Sequence, residues 1–94
     1  MHMTHGSHDL ASRRRRTIAM VLGALDIVLH RLEGLEPTPD VNAIRVTALD
    51  HMREVQEWER AWPPLEAQER LMKRVLDLRT HTARLEVSAP RAMP

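Results

Sequence analysis

Ninety-four residues and 10.9 kDa fill one hydrophobic core and leave no material for a second. The chain is 43% hydrophobic and 29% charged, with three Gly and six Pro, which excludes a disordered or collagen-like polymer. A formal charge of +1 excludes the broad basic field of a general nucleic-acid or membrane-surface binder, and the lack of Cys removes disulfides, thiolate metal sites and cysteine nucleophiles.

Residues 1–8 read as a flexible tail rich in His and Met. His2, His5 and His8 lie too loosely spaced to define a metal site, so no metal is expected there. Arg13 to Arg16 followed by the apolar stretch from Thr17 to Leu25 imitates a secretory signal. The likeness ends at Asp26, and no Ala-x-Ala cleavage site follows. A transmembrane span needs about 20 apolar residues, and Asp26, His30, Arg31 and Glu33 interrupt any such window. A cytoplasmic protein without membrane contact is expected.

The first helix is predicted over 9–35, where Ile18, Leu22, Leu25, Leu29 and Leu32 step by four and three along one face. Ser7 or Asp9 suits its start, and Gly34 in a left-handed turn followed by Pro37 suits its end. Thr38, Pro39 and Asp40 have the chemistry of an N-cap, a first helical residue and an acidic first turn. They open a second helix over 39–62, with Val41, Ile44, Ala48, Met52, Val55 and Trp62 inward and Pro63 as the stop. The third helix, over 64–87, buries Leu71, Val75, Leu78, Thr82 and Leu85, a stripe broadened by Leu65, Met72 and Leu76. Residues 89–94 form a short tail. Three segments of similar length joined by tight turns predict an all-α, antiparallel, up-down-up three-helix bundle.

A second apolar stripe is the feature with most bearing on function. Met20, Gly23 and Ile27 lie nearly opposite the main stripe of the first helix, and Val46 and Leu49 fall outside the inward arc of the second. A three-helix monomer buries one stripe per helix, so a second stripe calls for a homodimer or another protein partner. Gly23 would let two helices approach closely. The leading expectation is therefore a small helical protein–protein interaction module: an adaptor, chaperone-like protein or assembly subunit. Trp58 and Trp62, one turn apart, suit the base of the core better than a recognition surface.

Two other readings compete. Arg13, Arg14, Arg15 and Arg16 offer phosphate contacts to DNA, although four consecutive helical positions point all around the axis. All fourteen basic residues but Lys73 are Arg, which fits the codon usage of a G+C-rich bacterium and weakens any functional reading of Arg content. Arg79 falls within the broad apolar arc of the third helix with Gln68 and Glu86, and a buried charge there requires Asp26, a second subunit or an anionic substrate. That would suit a small helical-bundle enzyme. No general acid–base pair accompanies Arg79, so catalysis and a cofactor are not expected. Of His30, His51 and His81, only His51 shares an apolar face, which suits a partly buried core position.

Overall fold

The computed structural model describes residues 3–88, with side chains from residue 9 onward. Three helices, α1 (Met3–Glu33), α2 (Pro39–Glu57) and α3 (Leu65–Ser88), each pack on the other two, and no strand occurs among the described residues. None of these helices is long and apolar enough to cross a membrane. The tail expected at 89–94 and the side chains of His2, His5 and His8 lie outside the described residues.

The core is drawn from all three helices. α1 contributes Ile18, Val21, Leu25, Val28 and Leu32, with Leu35 just beyond its end. α2 brings Val41, Ile44, Ala48 and Val55 with Trp58 at its cap, and α3 brings Leu71, Val75 and Leu78. The inward face of α1 is thus rotated from the expected one. Val21 and Val28 are buried, whereas Leu22 and Leu29 are partly buried on one flank and Ala24 on another. Burying α1 between two neighbours makes its dry arc wide enough to accept both sets. Thr82 is fully buried, and its hydroxyl donates to the Leu78 carbonyl at 2.7 Å, which satisfies it within α3.

The helix ends follow local chemistry, with three corrections. α1 is already helical at Met3, so neither Ser7 nor Asp9 caps it. Its far end closes without a left-handed residue: no Gly has positive φ, and the Gly34 and Leu35 amides donate to the Arg31 and Leu32 carbonyls at 3.3 and 3.0 Å. Such i to i−3 bonds tighten a last turn as effectively as a left-handed cap. α2 starts as its sequence dictates, with Thr38 extended (φ −74, ψ 165), its Oγ1 accepting from the Val41 amide at 3.2 Å, and Pro39 in the first turn. It stops at Glu57 rather than Trp62. The carbonyls of Glu59 and Arg60 would need amide donors at 63 and 64, and both positions are proline. Residues 58–61 instead fold into turns in which Arg60 and Ala61 amides donate to Glu57 at 3.0 and 3.1 Å. α3 then begins over Pro64, whose carbonyl accepts from the Ala67 and Gln68 amides, while the Gln68 side chain donates to the Pro63 carbonyl at 2.9 Å.

The helices are consequently unequal, not matched. At about 1.5 Å per residue the 31, 19 and 24 residues of α1, α2 and α3 span about 46, 28 and 36 Å. The molecule measures 59 × 26 × 19 Å, with a radius of gyration of 16.3 Å.

Candidate functional site

Two regions of the surface carry features that the core does not explain. The first is the outer side of α1. Met20 and Ile27 are each 57% exposed, Gly23 is exposed between them, and a methyl group placed on Gly23 would meet nothing within 4 Å among the described residues. On α2, Val46 is 57% and Leu49 44% exposed, and on α3 Leu76 is 55% exposed. At about 100° per residue, Met20 and Ile27 lie within about 40° of Arg31, which marks the flank of α1 that touches α3. Val46 and Leu49 point away from α2's buried face, so the two expected halves of the interface stand on different sides.

Arg31 identifies that flank because its guanidinium makes a two-pronged ion pair with Glu86 of α3. Nε donates to Oε2 at 3.1 Å and Nη2 donates to Oε1. The hydrogen bonds that Arg31 donates to Glu86, opposed by partial desolvation, raise the Arg31 pKa above its ordinary value and keep it charged. Sequence reasoning missed this pair. Its signal was Glu86 inside the broad arc of α3, which had been grouped with Arg79. Arg79 itself is exposed, as is Asp26, so the expected buried arginine and its carboxylate partner are not found. Solvent receives the Arg79 head because its position lies at the edge of the arc, where a long side chain reaches water.

The second region is a cleft of about 420 Å³ where the first turns of α1's described side chains meet the turn after α2. Arg14, Arg15 and Ile18 line one wall, and Trp58, Glu59, Arg60 and Trp62 line the other. Trp58 is buried and its ring meets that of Trp62 edge to face, with centroids 5.8 Å apart and planes at 73°. The Arg14 guanidinium lies over the Trp62 ring, 5.1 Å from its centroid. The tryptophans therefore do close the base of the core, and Trp62 also supports an arginine at the rim. Arg14 Nε is screened from solvent and has no hydrogen-bond partner among the described residues. The four arginines are thus divided by the fold: Arg14 and Arg15 face the cleft, whereas Arg13 and Arg16 are exposed elsewhere around α1.

The histidines form no common site. His30 is exposed beside Glu33, with Nδ1 3.7 Å from its carboxylate, and His81 is exposed on α3. His51 is buried on the core side of α2. Desolvation lowers its pKa, reinforced by the positive charge of Arg74 and opposed by Glu54 and Asp50.

Comparison with protein-family models, with curated proteins and with solved structures finds no significant match.

Proposed function

We propose that this chain is a small helical interaction module that self-associates through the outer face of α1, each subunit being an antiparallel up-down-up bundle. Two contacts support that chain direction. Arg14, early in α1, reaches Trp62 beyond the end of α2, and Arg31, late in α1, reaches Glu86, late in α3. In that arrangement α1 and α3 run in the same direction with a register offset fixed by the Arg31 to Glu86 pair. That offset of 55 residues sets Met20 level with Val75, one residue from Leu76, and Ile27 level with Thr82.

The observation that carries the reading is the pair of large apolar side chains, Met20 and Ile27, left more than half exposed on either side of a glycine with open space above it. Single exposed apolar residues are ordinary, whereas two of them a heptad apart on one face of α1 call for a covering surface. A two-fold axis through such a face pairs it with itself, and Gly23 admits the close approach of two backbones. Val46 and Leu49 belong to a separate face and are available for a further protein contact. Adaptor, chaperone-like and assembly roles all use this property.

The test is the solution mass by light scattering at several protein concentrations. The wild type is expected near twice 10.9 kDa, and Ile27→Asp near 10.9 kDa with unchanged helical content. Leu25→Asp, which charges a fully buried position, should unfold the chain. A wild type that stays at one chain mass at every concentration overturns self-association. An Ile27→Asp protein as unfolded as Leu25→Asp overturns the assignment of faces.

A further inference from the structure

We propose that the cleft between the start of α1 and the turn after α2 binds a phosphoryl group, presented free or on a small organic monoester. The argument begins with charge. Arg14, Arg15 and Arg60 line the cleft against one carboxylate, Glu59, an excess of two positive charges. A phosphate monoester above its second pKa, about 6, carries close to two negative charges, while a carboxylate carries one. Guanidinium groups present paired donors that match phosphoryl oxygens in spacing and plane.

Arg14 is the decisive residue. The face of Trp62 attracts its positive charge but offers no oxygen in the guanidinium plane, so the Nε–H is left with neither water nor an acceptor. An unmet donor of this kind is costly in a resting protein and is relieved when a ligand brings an acceptor. An oxyanion drawn in by Arg15 and Arg60 provides one, and the Arg14 guanidinium rotates off the Trp62 ring to meet it. The cleft is larger than a bare phosphate requires, and at about 420 Å³ it falls within the range of small-molecule pockets. Ala11 and Ile18 give the remaining space an apolar wall that suits a compact organic group on the ester oxygen.

The departure of Arg14 from Trp62 provides its own readout, because Trp58 and Trp62 are the only aromatic residues in the chain. The full-length protein is titrated with inorganic phosphate, phenyl phosphate and benzoate at constant ionic strength. Tryptophan emission excited at the red edge of its absorption is followed beside calorimetry. Saturable binding of phenyl phosphate with a change in emission is expected, with benzoate weaker by about tenfold or more, the worth of a lost charge-assisted hydrogen bond. Arg14→Gln and, independently, Arg60→Gln should each weaken phenyl phosphate by about tenfold, while Arg79→Gln on exposed α3 surface leaves it unchanged. Arg60 lies in an exposed turn, so its variant remains informative if Arg14→Gln disturbs packing. Inorganic phosphate binding as tightly as phenyl phosphate identifies the free anion as the ligand, and tighter phenyl phosphate identifies a monoester. Equal binding of benzoate, equal loss in Arg79→Gln, or no saturation overturns the proposal. So does salt-sensitive binding of a short DNA duplex without binding of phenyl phosphate, which would assign the arginines to nucleic acid.

Discussion

Replacing Gly23 by Ala separates the single chain from its assembly. Within one chain the substitution adds a methyl group to the middle of α1 at a position with ordinary helical φ and nothing within 4 Å of the new carbon among the described residues. No contact is lost and none is strained, so the effect reduces to the helix preference of Ala over Gly, a gain of about 0.8–1 kcal/mol. For a domain of this size that gain corresponds to a rise in Tm of about 4–8 °C. In a dimer closed over Met20, Gly23 and Ile27 the same methyl enters the point of closest approach twice, once from each subunit. Overpacking a well-fitted contact costs about 1–3 kcal/mol, enough to cancel the gain and push the equilibrium toward single chains. Urea unfolding followed by far-ultraviolet circular dichroism over a wide range of protein concentration reads both effects. Gly23→Ala should be the more stable protein in dilute solution and should lose that advantage as concentration rises, with weaker association by light scattering. Destabilisation in dilute solution would refute the open space above Gly23. An equal gain at every concentration, in a wild type shown to be dimeric, would remove Gly23 from the interface.

Two further outcomes follow from helix chemistry and burial. Thr38→Ala removes the oxygen that accepts from the Val41 amide and should cost about 1 kcal/mol in chemical unfolding, while Thr38→Ser should restore most of it. His51 is held below its ordinary value, near 6.5, by desolvation, so the folded state favours the neutral ring. The unfolded chain therefore takes up a proton more readily on acidification. The stability due to this residue is present above about pH 6.5 and is lost as pH falls below it toward the folded-state value. Thermal melts should show a steeper decline on that acid side for the wild type than for His51→Leu, and parallel profiles would show that His51 contributes nothing.

Legibility from sequence depended on how local the controlling physics was. Thr38, Pro39 and Asp40 act within one turn, and their roles could be read directly. The end of α2 is less legible, because Pro63 restricts Trp62 directly, whereas the missing donors at Pro63 and Pro64 act on Glu59 and Arg60, four residues upstream. On α1, Ile18 to Leu32 by way of Leu22 and Leu29 is as periodic as the route by way of Val21 and Val28. Only the positions of both neighbours decide which route lies at the centre. Arg79 and Glu86 sit in the same arc on a wheel, yet one is solvated and the other binds Arg31, because the pairing depends on how α1 and α3 align along their lengths. The Arg14 and Trp62 contact joins residues 48 apart in sequence, and nothing in either neighbourhood announces it.

Helices of unequal length packed side by side make a slender body, and slenderness alters what a measurement of size means. A compact domain of 94 residues has a radius of gyration of about 12 Å, and the 16.3 Å found here is that of a compact domain of roughly 190 residues. One chain thus spreads its mass over the radius of gyration of a globule of about twice its length, while displacing no more solvent than its own mass requires. It will leave a sizing column early and diffuse slowly whether or not it has a partner, and its rotation will be faster about the long axis than across it. Retention volume and diffusion will therefore overstate the mass of a lone subunit without doubling it, and only a quantity that weighs the particle, such as scattered intensity or sedimentation equilibrium, can count chains.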